Sequence, residues 1–267
     1  MRLPGSDNTD SKERFSSRVD AYREFRPRYP TAVIDLLQRH CGLTPASIIA
    51  DIGAGTGMLA ELFLQQGNSV FAVEPNPAMR SACEDLRPQY PRLKCIDGSA
   101  ETTTLADHSA DFVTVGQALH WFHLARARAE FVRILRTGGW CAIIYNERRI
   151  GGDAFHDGYE RILQEFGIDY ESVRSKYPQQ DRMVEFFRSP NVGPETMQQA
   201  SFPNAQEFDF EGLMGRILSS SYMPQSDHPR HPAMLRQVEE LFSQCQRDGH
   251  VRLEYDCVVS YGRLQST

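Results

Sequence analysis

The feature that most constrains this chain is a short stretch, IIADIGAGTG, at residues 48–57. A run of β-branched and small apolar residues, the signature of a buried strand, ends abruptly in glycines at 53, 55 and 57. An amphipathic stretch with helical periodicity follows it. The pattern predicts a strand, a tight turn and a helix. Glycine lets the backbone turn sharply and come close to a ligand. The helix start behind the turn offers unpaired N–H groups and a partial positive charge.

The hundred residues around this turn alternate between the two periodicities. Strands are predicted at 47–52, 69–73, 93–96, 111–115 and 140–145, and helices at 56–66, 76–86 and 124–135. The Thr137-Gly138-Gly139 triplet is expected to separate the last helix from its strand. Upstream, a helix is predicted over 13–26, stopped by Pro27 and Pro30, and a second over 31–40 with Thr31 as N-cap. After Asn146 the pattern changes to helical pieces over 153–190. A strand within 195–208, helices near 210–221 and 231–247, and a β-rich stretch at 251–264 complete the chain.

This order implies an α/β fold, a Rossmann-like, doubly wound, mostly parallel sheet of seven strands with an antiparallel last strand and a helical lid inserted in the C-terminal half. The expected organisation is a disordered tail at 1–12 and one domain over 13–267. Within that domain, 13–45 form a helical cap, 46–146 the cofactor-binding core, 147–250 the lid with one strand, and 251–264 the closing strand.

Composition limits the partners. With 29 Lys and Arg against 35 Asp and Glu, the net charge is −6, which argues against a protein that neutralises a phosphate backbone. Residues 11–30 are locally basic, with Lys12, Arg14, Arg18, Arg23, Arg26 and Arg28. That run is either a solvated helix face or a strip for an anionic ligand. The six cysteines show neither CxxC nor metal-ligand spacing, so they read as small buried hydrophobes in a reducing compartment. No metal is expected. His156, His228 and His231 have no recognisable partners and are expected at the surface. MRLPGSDNTDSK carries no apolar run of the kind a secretory leader needs, and no stretch reaches the ~18 apolar residues that span a bilayer. The expected location is the cytoplasm, with no nucleic-acid or membrane partner, as a monomer or homodimer.

Two ligand classes use a glycine turn of this kind. A dinucleotide asks for G-x-G-x-x-G, and Met58 stands where its third glycine would fall. Asp51, two residues ahead of Gly53, would repel a pyrophosphate but suits a ligand with an ammonium or sulfonium charge. Glu74, at the end of the 69–73 strand, can accept hydrogen bonds from ribose hydroxyls in either class.

Beyond this reading, the sequence resembles the class I S-adenosylmethionine-dependent methyltransferases. ADIGAGTG (50–57) resembles the family's first motif, AVEPN (72–76) the second and IDGSAE (96–101) the third. DFVTVGQALHWF (111–122) resembles the fourth, and RILRTGGWCAIIYN (133–146) the segment after it. RFSSRVDAYREFRPRYP (14–30) and QALHWF are similar to the small-molecule, type 11 branch that includes trans-aconitate methyltransferases. The resemblance covers about residues 15–146.

It implies that Gly53, Ala54, Gly55 and Gly57 pass close to the methionine part of the cofactor, with Asp51 supporting the loop. Glu74 with Pro75 would hold the ribose. Ser99, Ala100 and Glu101 would flank the adenine, and Gln117 would border the methionine end. Many members carry an acidic residue where Ser99 stands. Tyr22 and Arg28, on the cap, are expected to fold over the cofactor. His120 and Trp121, just past a strand end, are the candidate catalytic residues: His120 as base or orienting group, Trp121 as a wall. Tyr145, Asn146, Arg148 and Arg149 are expected near the substrate. The implied activity is in-line methyl transfer from S-adenosylmethionine to a small molecule, with a carboxylate or other oxygen as nucleophile. An NAD(P)-dependent oxidoreductase and a non-catalytic S-adenosylmethionine-binding module stand as alternatives.

Overall fold

The computed structural model describes residues 19–176, 180–188 and 197–264. The tail expected at 1–12, and the first residues of the 13–26 helix, lie outside the described residues. Seven strands form one sheet: β1 (Ile48–Ile52), β2 (Ser69–Val73), β3 (Leu93–Ile96), β4 (Ala110–Gly116), β5 (Leu135–Arg148), β6 (Met197–Phe208) and β7 (Val251–Gly262). Their spatial order is β3-β2-β1-β4-β5-β7-β6. The first five run parallel, and β7 lies antiparallel between β5 and β6. This is the mostly parallel, doubly wound architecture that the alternating pattern implied. The order reverses between β1 and β4, so their carboxyl ends open a crevice in which such sheets bind ligands.

The helices are α1 (Val19–Phe25), α2 (Ala32–Cys41), α3 (Met58–Leu64), α4 (Pro77–Glu84), α5 (Leu124–Ile134), α6 (Ala154–Phe166), α7 (Tyr170–Lys176), α8 (Gln180–Phe187), α9 (Phe210–Leu218) and α10 (His231–Cys245). Strands β1 and β4 are buried on both faces, which is why their sequences read as continuous apolar runs. One face packs on α2 and α3 through Val33, Leu37 and Phe63. The other packs on α5 and α8 through Phe131, Ile134 and Phe187. None of these helices is long and apolar enough to cross a membrane.

A third apolar cluster lies beyond the main sheet. Strands β6 and β7 pair without interruption from Met197↔Gly262 to Phe208↔Val251. Val259 and Cys257 belong to the sheet core, while Leu253 and Tyr255 at the far end belong to a separate cluster with α6, α9 and α10. One long ribbon therefore supports two cores, and the α6, α9 and α10 cluster, the segment expected to form the lid, is built on its overhang. β6 is the edge strand, which tolerates Pro203 inside it.

The structure departs from the sequence expectations at two points. The Thr137–Gly139 triplet does not separate helix from strand. Strand β5 begins at Leu135, and its register against β4 shifts from Ala110↔Leu135 to Phe112↔Trp140. The extra residues bulge out, with Gly138 at φ 79° taking the left-handed conformation that such a bulge requires. His156 is not at the surface either: it is buried, its Nδ1 is 2.8 Å from Asp153 Oδ1, and its Nε2 accepts from Glu254 N at 3.1 Å. The sequence spacing could not show the second partner, which is 98 residues away.

Gly167 ends α6, and a Cβ there would lie 2.5 Å from the Leu163 carbonyl oxygen and 2.6 Å from Tyr170 Cβ. We expect Gly167→Ala to destabilise the protein by ~1–3 kcal/mol, since backbone must shift to admit it. Urea unfolding measures this, and an unchanged midpoint would contradict the tight α6–α7 junction.

Candidate active site

The turn after β1 closes on the loop after β4. Gly53 has φ 68°, and a Cβ on it would sit 2.7 Å from Ala118 Cβ, so no larger residue fits. Gly55 has φ 58° and open space on its Cβ side. Its N–H donates to Glu74 Oε2 at 2.9 Å, and the other carboxylate oxygen accepts from Asn76 N at 2.8 Å. Glu74 is 8% exposed and stands at the end of β2, bordering a cavity of about 710 Å³. Asn76 in turn caps α4, its Oδ1 accepting from Ala78 N and Met79 N. The sequence folds this way locally because strand end, carboxylate and cap follow one another within three residues.

Asp51 lies below the glycine turn. It borders a small pocket of about 20 Å³ shared with Ala54, Gly55 and Tyr22, next to the main cavity rather than on its wall. Its Oδ1 accepts from Thr114 Oγ1 at 3.0 Å, and its buried Oδ2 has no hydrogen-bond partner. Burial pushes its pKa up to about 7; the Thr114 hydroxyl and the nearby Ala60 backbone N–H pull it down, and the neighbouring Glu74 charge adds to the rise.

Gln117 sits past β4 with φ 56°. Its Nε2 donates to Asn146 O at 3.0 Å, which fixes the amide orientation and leaves a buried Oε1 with no partner. His120 and Trp121 follow on a short 3₁₀ turn and border the cavity. The His120 ring lies 4.7 Å from that of Trp121, and its Nδ1 is hydrogen-bonded to Tyr145 OH at 3.2 Å.

Helix α1 roofs the cavity. Asn146 Nδ2 donates to the Pro27 and Arg28 carbonyls at 3.3 Å, and Asn204 Nδ2 donates to Arg28 O at 2.7 Å. Phe25 packs against Gly215 of α9, and Arg26 Nη2 donates to Ser219 O at 3.0 Å. Tyr22, Arg26 and Tyr29 thereby reach the cavity wall.

The structure brings Gly53, Gly55, Glu74, Pro75, Gln117 and Tyr22 to this wall, along with the candidate catalytic pair. Gly57 serves as N-cap of α3 instead. Arg28 turns outward to Glu61, and Arg149 to Asp256 and Glu254. Ser99, Ala100 and Glu101 do not border the cavity. Ser99 bridges to Thr102, Ala100 is buried, and Glu101 Oε1 accepts from His123 N at 2.8 Å, tying the loop after β3 to the one after β4. Sequence reasoning missed Arg174, Arg216, Tyr170, Tyr222 and Tyr255 on the far wall. An arginine inside the apolar stretch GLMGRIL was a signal for the second of these.

A family model described as a methyltransferase domain matches residues 50–143. The match identifies a methyltransferase domain within residues 50–143, about a third of the chain. An uncharacterised methyltransferase of Mycobacterium bovis is 40% identical over 50% of this chain, and the chain spans about half (52%) of that relative. An uncharacterised methyltransferase-like protein of Schizosaccharomyces pombe is 26% identical over 92% of this chain and 93% of its own length. Among solved structures, a protein of Anaeromyxobacter dehalogenans described as a type II methyltransferase shares the fold with TM-score 0.64 and 22% identity, covering 91% of this chain and 100% of that one. A Geobacter sulfurreducens methyltransferase solved with S-adenosylhomocysteine superposes with TM-score 0.51 at 16% identity over 98% of this chain and 100% of that one.

The residues present fit the cofactor of this family. Gln117 Oε1 and Asp51 Oδ2 are buried acceptors without partners beside the glycine turn, suited to a cationic ligand, and Glu74 offers a fixed carboxylate to hydroxyls. The cavity volume lies within the range of small-molecule sites, about 300–1,000 Å³.

Asp51 also makes stability depend on pH. Its folded pKa of about 7 lies above the ordinary 3.8, so the folded state holds the proton more tightly than the unfolded one. That contribution is fully present below the unfolded value and is lost as pH rises towards 7. Asp51→Asn keeps the Thr114 hydrogen bond without the buried charge. We expect the variant to match the wild type at pH 4 and to exceed it by a few kcal/mol at pH 8 in urea unfolding, since each tenfold difference in proton affinity is worth about 1.4 kcal/mol. Parallel pH profiles for the two proteins would refute the buried charge.

Proposed function

We propose that this chain is an S-adenosylmethionine-dependent methyltransferase that methylates an oxygen nucleophile, a hydroxyl or carboxylate, on a small molecule. The observation that carries the reading is the juxtaposition of a cofactor-type glycine turn and Glu74 with the His120–Tyr145 pair across one cavity. S-adenosylmethionine supplies a methyl group on a sulfonium and departs as the neutral thioether.

The protein's share is positioning, exclusion of water and proton handling. In-line alignment of two reactants contributes up to ~7–11 kcal/mol in well-oriented cases. Glu74 and the glycine turn would fix the ribose, and Gln117 Oε1 with Asp51 would hold the ammonium end. Trp121, Phe122 and the α1 roof cover the cavity. For an acceptor hydroxyl, the oxygen would take the methyl as the cofactor left as thioether, and the His120 imidazole would accept the hydroxyl proton. Tyr145 OH holds that ring in orientation.

The acidic chain, with net charge −6, supports a metabolite rather than a nucleic acid as acceptor. Free cysteines at 41, 83, 95, 141, 245 and 257 support a reducing, cytoplasmic setting for the protein.

Calorimetry with S-adenosylmethionine and mass-spectrometric detection of S-adenosylhomocysteine in the presence of pooled metabolites test the reading. Glu74→Gln should weaken cofactor binding at least ~10-fold, because it removes a charge-assisted acceptor. His120→Ala should lower kcat by about 10²–10⁴ with cofactor affinity within about twofold. Failure of the wild type to bind S-adenosylmethionine overturns the assignment. A His120→Ala enzyme with full kcat overturns the role of the imidazole alone.

A further inference from the structure

The far wall of the cavity is cationic, and its charge is not balanced. Arg148 and Arg174 share one carboxylate, Glu160. That carboxylate also accepts from Tyr170 OH at 2.9 Å and Gln164 Nε2 at 3.0 Å, so its lone pairs are taken. Arg148 is stacked over the Tyr159 ring at 5.0 Å, and its buried Nη1 has no hydrogen-bond partner.

Arg216 is more exceptional. It is 6% exposed, in the last turn of the apolar helix α9. Nε donates to Tyr255 OH at 3.1 Å and Nη1 to Ser220 Oγ at 3.2 Å, both neutral oxygens. Among the described residues no carboxylate forms an ion pair with it, and its Nη2 carries no hydrogen bond. Arg26 completes the wall from the roof, held by the Ser219 carbonyl and the Tyr22 ring. Two carboxylates border the same cavity: Glu74, engaged at the glycine turn by the Gly55 and Asn76 N–H groups, and Glu147, exposed at the rim; neither forms an ion pair with these arginines among the described residues.

A guanidinium taken out of water without a counter-charge is costly. A purely structural arginine would be expected to find a carboxylate or to use its whole fork on carbonyls. Arg216 does neither, and it faces the space that an acceptor would fill. A guanidinium neutralises an oxygen it pairs with and weakens its attack on carbon, so the paired group cannot also be the efficient nucleophile.

Resting on the methyltransferase reading, we infer that Arg216 and Arg148 form an anion receptor for a carboxylate or phosphate group of the acceptor, a handle distinct from the atom that is methylated. The acceptor is therefore bifunctional: an anionic end on the lid arginines and a nucleophilic oxygen presented beside His120. The tyrosines at 170, 222 and 255 wall the organic body between them.

The test is calorimetric titration of the full-length protein, with and without saturating S-adenosylhomocysteine, using glutarate, inorganic phosphate and the neutral glutaramide. We expect at least one anion to bind the wild type with Kd near or below about 1 mM and glutaramide not to bind. Glutarate alone points to a carboxylate handle and phosphate alone to a phosphoryl one. Arg216→Gln should lose at least ~10-fold in that anion affinity, Arg216→Lys less, each with S-adenosylhomocysteine affinity within about twofold. If Arg216→Gln fails to fold, Arg148→Gln, which leaves Glu160 paired with Arg174, must show the loss. Equal binding of anions and glutaramide, or unchanged anion affinity in the folded variants, overturns the receptor. Loss of S-adenosylhomocysteine binding by the wild type would instead count against the methyltransferase reading, and the anion titrations without it still decide the receptor.

Discussion

The site depends on the two oxygens of the Glu74 carboxylate. One takes the Gly55 N–H and the other the Asn76 N–H. Backbone donors at the glycine turn and at the start of α4 would otherwise be left without acceptors in a buried place. By satisfying both, Glu74 ties the turn after β1 to the end of β2 and fixes its own orientation. The strands need no other link there, since β1 and β2 are already in parallel register from Ile48↔Ser69 to Ile52↔Val73. The glycine turn is thus held open, not collapsed onto the strand ends, and the crevice at the reversal of strand order becomes a cavity.

The parts of this molecule that were legible in the sequence are those whose physics is local. Strand 69–73 and strand 93–96 are found at those bounds, because each is a short run of strand-forming residues closed off by turn residues. The glycine turn and Glu74 were readable for the same reason: each carries its chemistry within a few residues. The far wall was not. Arg216 meets Tyr255, 39 positions away, and Arg148 meets Glu160 across the β5–α6 connection. Arg28 shows the converse error. The basic run around it left a solvated face and an anion strip both open, and its expected place over the cofactor is not taken up: Glu61 on α3 lies opposite and takes the charge outward. Charge patterning along a chain says nothing of which carboxylate the fold will set beside an arginine.

The lid is coupled to the cofactor side through the roof. Helix α1 is pinned at its exit by Asn146 of β5 and Asn204 of β6, and its Phe25 packs on Gly215 of α9. Gln206 Nε2 donates to the Phe25 carbonyl while its Oε1 accepts from Tyr255 OH, the same hydroxyl that accepts from Arg216. Roof, lid helix and anion receptor therefore share one hydrogen-bond chain. A ligand that draws Arg216 towards it bears on Tyr255 and Gln206, and through them on the helix that covers the glycine turn.

The cavity is polarised along its length. At the glycine end stand acceptors, the Glu74 carboxylate and the Gln117 amide, with the Asp51 carboxyl behind the turn in its own small pocket. At the lid end stand donors: Arg26, Arg148 and Arg216. Within a low-dielectric cavity such separation is stronger than the same charges in water, and it opposes a reversed pose at both ends at once. A ligand with a positive centre belongs at the first end and one with a negative group at the second. Two such ligands would attract each other across the cavity, whose wall His120 and Tyr145 also line. For the proposed reaction this arrangement would order cofactor and acceptor by charge before any contact with the reacting atoms, and would leave the proposed nucleophilic oxygen as the part of the acceptor that neither end claims.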